Sequence, residues 1–469
     1  MRLKVLLMRP YADSDELIPP VGLGYLATAL REKHEVQILD GIKEKLTLEK
    51  FADILRKGRY DIVGIHLFTY QIKLVSEYAN LIKKILPDAK IVLGGPHPSC
   101  SPENIFEFFS EIDWAFKGEA EIGFAKLADL VSGNSLSNEQ LAGVPGLIWR
   151  NDGGTQVNTQ VFVENLDELG QPSWDLLRPD TYPLAPHGGF FKNYPIAPIM
   201  TTRGCPYSCT YCAGHLVSGR KIRSRSVAHI IEEIKLLYDR YGIREIHIED
   251  DNFTFNREAV KEFCRQLKVN NLKISWTCPN GIRLDTLDEE LLLAMKDAGL
   301  YSVSVGIESG SDRILKAMKK NLNTAQIREK IGLIKKCGLA VSGFFILGYP
   351  SETKQEILQT IRFAVELDLD RAGFFIFKPF PGTEVTADLL KSGELNPEQN
   401  DQWAYYVLAD AVYAPTGLTK KELKDLRTRA LVSFYFRPKI IFRFFKGIRN
   451  FQHFKIILKR IYSWLFKAK

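Results

Sequence analysis

The chain has 469 residues, enough for two or three domains, and its 45% hydrophobic and 25% charged residues are typical of a globular protein. The net charge of +7 is a property of one end, because residues 437–469 carry ten Lys or Arg and no acid, which leaves the rest near −3. That balance excludes a nucleic-acid-binding surface on the body of the chain. Since no export signal or membrane-spanning apolar run is found, we expect a cytoplasmic protein without a disulfide framework.

Residues 1–135 alternate apolar runs with amphipathic stretches. This rhythm predicts an α/β domain with a doubly wound parallel sheet. The predicted strands lie at 4–9, 35–40, 61–68, 90–95 and 112–117.

A glycine pattern in this domain matches dinucleotide-binding proteins. Gly22, Gly24 and Ala27 fit G-x-G-x-x-A, and Asp40 ends the second predicted strand. Such glycines should follow the first strand directly, whereas eleven residues intervene after Pro10. The pattern therefore does not favour NAD or FAD.

The rest of the chain divides into four segments. Residues 136–195 predict a hairpin and then a linker, and residues 196–390 resume the alternation of strands and helices. Six βα units favour a partial (β/α)6 barrel over a second open sheet, although periodicity alone cannot distinguish the two. Residues 391–436 predict a helical extension, and residues 437–469 a basic amphipathic tail. The predicted barrel strands are 197–202, 244–249, 273–278, 301–307, 340–347 and 372–378.

Three of the seven cysteines lie in one short segment after the first barrel strand. Cys205, Cys209 and Cys212 have the spacing Cys-x3-Cys-x2-Cys. Three thiolates on one loop can bind three corners of a cubane iron–sulfur cluster, and the missing fourth ligand would leave one iron open. Zinc, with His215 as a fourth ligand, is the alternative. Barrel enzymes place their chemistry on such strand-end loops.

This spacing, with Tyr211 before the last cysteine, resembles the signature of the radical S-adenosylmethionine (SAM) superfamily. The resemblance implies that the three cysteines bind a 4Fe–4S cluster and that SAM binds the open iron through its amino and carboxylate groups. It further implies an electron donor such as flavodoxin or ferredoxin, and reductive cleavage of SAM to a 5′-deoxyadenosyl radical.

Polar residues at later strand ends resemble the family's SAM contacts. Asp250 or Asp251 would bind the amino group, although this strand end departs from the Gly-Gly-Glu form of many members. The resemblance implies that Glu308 contacts a ribose hydroxyl and that Gly348 belongs to a turn against adenine. Arg283 is a candidate partner for the SAM carboxylate.

The N-terminal domain resembles the cobalamin-binding domain that precedes the barrel in a large radical SAM subgroup. Residues 19–26, 93–98 and 117–121 carry this resemblance, which with the barrel covers about residues 1–390. The Asp-x-His-x-x-Gly motif that supplies a cobalt ligand in many cobalamin proteins is absent from the sequence, so we expect no histidine on cobalt. The implied cobalamin-binding residues are Gly22, Gly24, Gly94, Gly95, His97, Gly118 and Glu119.

The tail mixes aromatic and basic residues, with apolar positions at helical spacing. This pattern is typical of an interfacial helix on an anionic membrane. A helix that packs on the barrel and an RNA contact are the alternatives. Radical SAM methylthiotransferases that modify tRNA carry extra cluster-binding cysteines in the N-terminal domain. This domain has only Cys100, so nucleic acid is not expected as a partner.

Together these resemblances predict a cobalamin-dependent radical SAM enzyme that methylates an unactivated carbon. The alternative is a radical oxidative cyclase or ring-rearranging enzyme, similar to anaerobic magnesium-protoporphyrin ester cyclase. A third hypothesis is a non-enzymatic iron–sulfur scaffold or sensor. The tail favours a lipid or tetrapyrrole as the small-molecule substrate, and peripheral contact with the inner face of the membrane.

Overall fold

A computed structural model describes residues 1–12, 17–183, 191–396, 411–446 and 454–455. The strands are β1 (Lys4–Arg9), β2 (Glu35–Asp40), β3 (Ile62–His66), β4 (Lys90–Gly94), β5 (Trp114–Phe116), β6 (Leu147–Asn151), β7 (Gly154–Val157), β8 (Ile196–Ile199), β9 (Thr202–Arg203), β10 (Arg223–Ser224), β11 (Glu245–Ile248), β12 (Ser275–Ile282), β13 (Leu300–Glu308), β14 (Ala340–Leu347) and β15 (Arg371–Ile376).

The helices surround these strands. They are α1 (Val21–Leu30), α2 (Leu48–Gly58), α3 (Ile72–Ile85), α4 (Pro96–Cys100), α5 (Ile105–Phe108), α6 (Glu121–Ser132), α7 (Asn138–Ala142), α8 (Trp174–Leu177), α9 (Gly214–Ser218), α10 (Val227–Arg240), α11 (Arg257–Val269), α12 (Glu289–Asp297), α13 (Asp312–Ala317), α14 (Thr324–Lys336), α15 (Lys354–Glu366), α16 (Glu384–Ser392), α17 (Lys420–Tyr435) and α18 (Pro438–Lys446).

The first sheet has the strand order β2-β1-β3-β4-β5-β6-β7. Strands β1 to β5 are parallel, and the central strands β1, β3 and β4 and the short β5 are mostly apolar and buried. The order reverses between β1 and β3, and open α/β sheets bind ligands at the carboxyl ends of the strands at such a reversal. The doubly wound parallel sheet predicted from the sequence is confirmed.

The predicted hairpin exists, but it belongs to this sheet rather than to the linker. Strand β6 pairs antiparallel with β5, and β7 pairs antiparallel with β6. Leu147 and Ile148 of β6 are fully buried, so the sheet gains apolar contacts by adding this strand. The first sheet therefore continues past residue 135 to Val157.

The second sheet has the order β8-β11-β12-β13-β14-β15, with neighbouring strands parallel. The strand order follows the sequence, as in a βα barrel, and does not reverse as in the first sheet. Ser226, the predicted N-cap of α10, accepts a hydrogen bond from the backbone N–H of His229 at 3.2 Å. The partial barrel predicted from the sequence is confirmed, and its carboxyl edge carries the candidate site.

The first part of the predicted tail packs on the barrel. Ile440 of α18 is 3% exposed, and Lys439 pairs with Asp368 at 2.6 Å. Arg443 pairs with Asp370 at 3.2 Å. The remainder of the tail, the middle of the helical extension and part of the linker lie outside the described residues, at 447–453, 456–469, 397–410 and 184–190.

Across the described residues, none of the helices combines the length and apolar character needed to cross a bilayer.

Candidate active site

The candidate cluster ligands lie in the cysteine loop (residues 204–212), the first part of the connection between β9 and β10, which pair antiparallel. Gly204 follows β9 at φ +94°, and a Cβ there would come within 2.2 Å of the carbonyl oxygen of Lys221, so only glycine fits. The backbone N–H of Cys205 donates to the carbonyl oxygen of Gly219 at 3.1 Å. These contacts close the loop at its base.

The thiols of Cys205, Cys209 and Cys212 converge in this loop. Cys205 and Cys209 are partly buried, whereas Cys212 keeps an exposed face. The protein around the Cys212 sulfur nevertheless raises its pKa to about 11, and the nearby thiols of Cys209 and Cys205 add to this effect. Three neighbouring thiols on one loop fit three corners of a 4Fe–4S cubane, and bonding to iron would deprotonate each thiol.

A single metal ion fits this loop less well. In the described parts of the chain, no three His, Cys, Asp or Glu residues are arranged to hold one ion. His215, the candidate zinc ligand, lies in α9 just after the loop. A cubane tolerates wider spacing because each cysteine binds a different iron. The arrangement favours the cluster over zinc.

The two acids after β11 have different environments. Asp250 is 2% exposed and accepts from the backbone N–H of Thr201 at 2.6 Å, and burial raises its pKa to about 6. Asp251 is exposed and accepts from the hydroxyl of Ser218, beyond the cysteine loop, at 2.7 Å. Its charge adds to burial in raising the pKa of Cys212. Asp250 therefore joins two strand ends, whereas Asp251 is better placed to receive a cationic ligand beside the loop.

Arg283, which follows β12, supports the cysteine loop. Its guanidinium donates to both carboxylate oxygens of Asp285 at 2.9 and 2.8 Å, and to the carbonyl oxygen of Lys320 at 3.2 Å. Its Cζ lies 3.5 Å from the ring centroid of Tyr207, a residue of the loop. These contacts hold the loop on the barrel, and a contact between Arg283 and the SAM carboxylate stays a prediction.

Glu308, at the end of β13, forms a buried ion pair with Lys320 at 2.8 Å. Burial and the charge of Glu308 raise the pKa of Tyr211 well above its usual value, so this phenol keeps its proton. Sequence reasoning missed Lys320 because it ends a lysine-rich stretch that is typical of an exposed helix end. Only the fold brings its ammonium group to Glu308.

The turn after β14 contains Gly348 and a buried acid. The carboxylate of Glu352 accepts from the backbone N–H groups of Gly348 at 2.6 Å and Tyr349 at 3.2 Å. Burial raises the pKa of Glu352 to about 8. Gly348 also lies against Leu423 of α17, and its contact with adenine stays a prediction.

In the first sheet, Gly94 and Gly95 lie at the end of β4, next to the end of β3. No atom of the described residues lies within 4 Å of a Cβ placed on Gly94, so the space beside it is open. His66, at the end of β3, lies against Gly95, and burial lowers its pKa to about 4. An open strand end beside a neutral imidazole fits a flat macrocycle. Sequence reasoning missed His66 because no cobalamin motif surrounds it.

Three other predicted cobalamin residues, Gly22, Gly24 and His97, lie in helices α1 and α4. Gly22 and Gly24 lie in α1, and Gly24 is against Leu177 of α8. His97 is fully buried in α4, with its Nδ1 3.1 Å from the hydroxyl of Thr69, and burial lowers its pKa to about 4. Their contacts with cobalamin stay predictions.

Gly118 and Glu119 follow β5. The backbone N–H of Gly118 donates to the hydroxyl of Ser99 at 2.8 Å. Both carboxylate oxygens of Glu119 accept from the guanidinium of Arg223, at 2.5 and 2.8 Å. The contact of Glu119 with cobalamin stays a prediction, and its observed partner lies in β10, in the barrel domain.

The two candidate sites are neighbours. Helix α4, which follows Gly95, packs against α9, which follows the cysteine loop. A Cβ on Gly382, after β15, would lie 2.7 Å from the carbonyl oxygen of Cys100 in α4 and 2.8 Å from Cδ1 of Leu216 in α9. The crevice at the carboxyl ends of β3 and β4 and the cysteine loop therefore lie on opposite sides of the contact between α4 and α9.

Comparison with known proteins agrees with this arrangement. The family models for the radical SAM superfamily and the B12 binding domain match residues 199–364 and 11–128. An uncharacterized methyltransferase of Pyrococcus horikoshii is 35% identical, over 99% of this chain and 98% of its own. The anaerobic magnesium-protoporphyrin IX monomethyl ester cyclase of Cereibacter sphaeroides is 26% identical, over 87% of this chain and 65% of its own.

A solved structure has the same fold. The radical SAM methyltransferase TsrM from Kitasatospora setae, with cobalamin and a 4Fe–4S cluster bound, has a TM-score of 0.70 at 20% identity. The similarity covers 92% of this chain and 82% of that one.

The converging cysteines on a partial barrel, together with these matches, define a radical SAM enzyme. The chain belongs to the cobalamin-binding group of the radical SAM superfamily, a group that includes methyltransferases. Its cofactors are a 4Fe–4S cluster, SAM and cobalamin. The hypothesis of a non-enzymatic scaffold or sensor is therefore set aside.

Proposed function

We propose that the protein transfers a methyl group to an unactivated carbon of a small molecule. The observation that carries this proposal is the contact between α4 and α9, which brings the crevice of the first sheet next to the cysteine loop. When bound, the cofactors supply a carbon radical on the substrate and a methyl group to join it. The radical and the methyl group must meet at the same substrate atom. The two cofactors therefore need to be close together and fixed in position.

The residues of the chain bind and orient the reactants in this proposal. Cys205, Cys209 and Cys212 hold the cluster, and Asp251 receives the SAM amino group. Glu308, held in place by its ion pair with Lys320, accepts from a ribose hydroxyl. These groups are fixed before SAM arrives, so binding costs little reorganisation.

The full-length relative supports methyl transfer. The Pyrococcus horikoshii protein is a methyltransferase by name, and the match covers its chain and this one almost end to end. Radical cyclisation is the second candidate, because the cyclase of Cereibacter sphaeroides matches 87% of this chain. That cyclase is longer, since the match covers only 65% of its length.

Anaerobic reconstitution tests the two candidates together. The full chain is loaded with iron, sulfide and cobalamin, reduced with titanium(III) citrate, and given cell extract and SAM with a deuterated methyl group. We expect 5′-deoxyadenosine together with a product that carries the labelled methyl. Formation of 5′-deoxyadenosine with an unlabelled, more oxidised product would support the cyclase. Absence of 5′-deoxyadenosine would contradict both candidates.

We also propose a lipid or tetrapyrrole substrate, electron supply by a flavodoxin or ferredoxin, and peripheral membrane contact through residues 447–469. Phe442 of α18 is 70% exposed, which supports an apolar surface next to that segment. A chain that stops after Lys446 keeps the α18 ion pairs and serves as the control. Co-sedimentation of the full chain with anionic vesicles, lost at high salt and in this shorter chain, is the expected result. Equal binding by both chains would contradict the proposal.

A further inference from the structure

Two buried acids of the first domain reach into the barrel domain. Glu119 accepts from Arg223 at 2.5 and 2.8 Å and lies 3.3 Å from Arg203. Glu121, the first residue of α6, accepts from Arg203 at 2.8 Å. The side chains of both acids are only 8% exposed, and those of Arg203 and Arg223 are 7% and 2% exposed. Two acids and two arginines therefore balance in charge while excluded from water, which makes each one dependent on the others.

The arginines hold both sides of the cysteine loop. Arg203 belongs to β9 and Arg223 to β10, and the two residues are paired opposite one another in the hairpin. Cys205 follows Arg203 by two positions. The acids thus form ion pairs with β9 and β10, the two strands that flank the cysteine loop. Asp250, in the barrel, accepts a hydrogen bond from the backbone N–H of Thr201, directly before β9.

The acids also stand at the edge of the cobalamin-type crevice. Glu119 follows β5, the neighbour of β4, and β4 ends at Gly94. The adjoining Gly118 is tied by its N–H to Ser99 of α4, the helix that packs against α9. The short loop of Gly118 and Glu119 therefore contacts α4 beside the crevice. It also contacts Arg203 and Arg223 beside the cysteine loop.

Further contacts make this junction rigid. The Arg223 guanidinium also donates to the carbonyl oxygens of Val163 at 3.0 Å and Ser218 at 2.8 Å. Its Cζ lies 4.7 Å above the ring centroid of Phe162. The Cζ of Arg203 lies 5.0 Å from the ring centroid of Tyr25 in α1. The planar guanidinium groups have fixed directions for these bonds, which lysine could not reproduce.

We propose that Glu119 and Glu121 are positioning residues that fix the cysteine loop relative to the cobalamin crevice. This inference rests on the proposed function, because only transfer between two cofactors requires their separation to be set. The acids touch neither substrate nor cofactor in this role. They act through Arg203 and Arg223, and the result is one separation between the cluster and the cobalt.

Pulsed EPR tests this role in the loaded, reduced full chain, by measuring the distance distribution between cob(II)alamin and the reduced cluster. We expect a narrow distribution for the natural protein. Glu119→Gln removes a charge that pairs two arginines, so we expect about a twofold broader or a shifted distribution, because a loop with one anchor removed samples more positions. Cluster content should stay close to that of the natural protein, because Glu119 acts on the loop through Arg203 and Arg223.

Two further variants separate positioning from general stability. Asp175→Asn breaks the exposed pair with Arg31, at 2.7 Å between α8 and the residue after α1, and should leave the distribution unchanged. Arg223→Lys keeps the charge but loses the bidentate contact with Glu119. It should broaden the distance distribution as Glu119→Gln does.

An unchanged distribution in both Glu119→Gln and Arg223→Lys would overturn the proposal. Loss of the cluster together with unfolding in both variants would also overturn it, in favour of a purely structural ion pair. The distance is measured without substrate, so a failure of methyl transfer in the natural protein would reject the proposed function and leave this result standing.

Discussion

The two sheets differ at the strand ends that carry their candidate sites. At the carboxyl edge of the first sheet the space beside Gly94 is open, and burial holds the pKa of His66 near 4, so the ring is uncharged. At the carboxyl edge of the second sheet, ion pairs such as Glu308 with Lys320 and Arg283 with Asp285 fill the surface. The first edge suits a large flat ligand that needs room. The second suits a small charged ligand that needs fixed hydrogen-bond partners.

Removal of the three cysteines should have the largest effect and should separate the two edges. Replacing Cys205, Cys209 and Cys212 with Ala together should abolish iron absorption and 5′-deoxyadenosine formation, because no other thiol of the loop can replace them. Cobalamin binding should persist, since the first sheet is built without the cysteine loop.

Cys337→Ala provides the matched control, because this buried cysteine ends α14 away from the loop. It should keep both iron and activity. Iron content and cobalamin content are measured by absorption spectroscopy on the same samples. Retained SAM cleavage in the triple variant would reject the assignment of the cluster.

The second prediction concerns the open edge. Gly94→Leu adds a side chain where the described structure has space, so the protein should fold normally. The same side chain would occupy the expected place of the macrocycle, and we expect cobalamin affinity to fall at least about tenfold, or ~1.4 kcal/mol. Equilibrium binding of hydroxocobalamin, followed by absorption, measures the change.

Gly332→Leu, in α14, is the control, because a Cβ there also meets no atom within 4 Å. It should bind cobalamin as the natural protein does. Undiminished binding by Gly94→Leu would show that cobalamin lies elsewhere, and the contrast between the two edges would lose its basis.

The sequence predicts the parts of the molecule that depend on local patterns. The strands are buried runs, so they are visible as apolar segments, and the cysteines form a cluster site through spacing on one loop. Ion pairs between distant segments leave no such signal. Glu119 and Arg223 are 104 positions apart, and Glu119 resembles a cofactor-binding residue when seen alone. The partner of Glu308 was likewise missed, because Lys320 has the sequence context of a surface lysine.

A third prediction separates the two acids at the end of β11. Asp251→Asn should weaken SAM binding to the loaded enzyme several-fold, because the amide removes the charge that faces a cationic amino group. Asp250→Asn should change SAM affinity less and lower thermal stability, since Asp250 joins strand ends through Thr201. SAM titration and thermal unfolding of both variants check the pair. A larger loss of SAM affinity in Asp250→Asn would reverse the assignment.

The smallest expected effect on function concerns Glu352, which supports the turn at Gly348. Burial raises the pKa of this carboxyl to about 8 from an ordinary value of 4.5, so the folded protein binds the proton more tightly than the unfolded chain does. The stability that comes from this proton is complete below the ordinary pKa. It is lost as the pH rises to about 8, and it amounts to no more than ~5 kcal/mol.

Glu352→Gln should remove this dependence on pH. Glutamine can still accept from the N–H groups of Gly348 and Tyr349, but it gains and loses no proton. The difference in thermal midpoint, variant minus natural protein, should therefore increase from pH 6 to pH 8 by a few degrees and then level off, because each kcal/mol shifts the midpoint of a large protein by only about 1–2 °C. Anaerobic thermal unfolding at one scan rate, with the exposed Glu258→Gln as control, measures it. A constant difference across this range would show that Glu352 is already ionised at neutral pH, and the turn after β14 would then belong with the charged strand ends of the barrel.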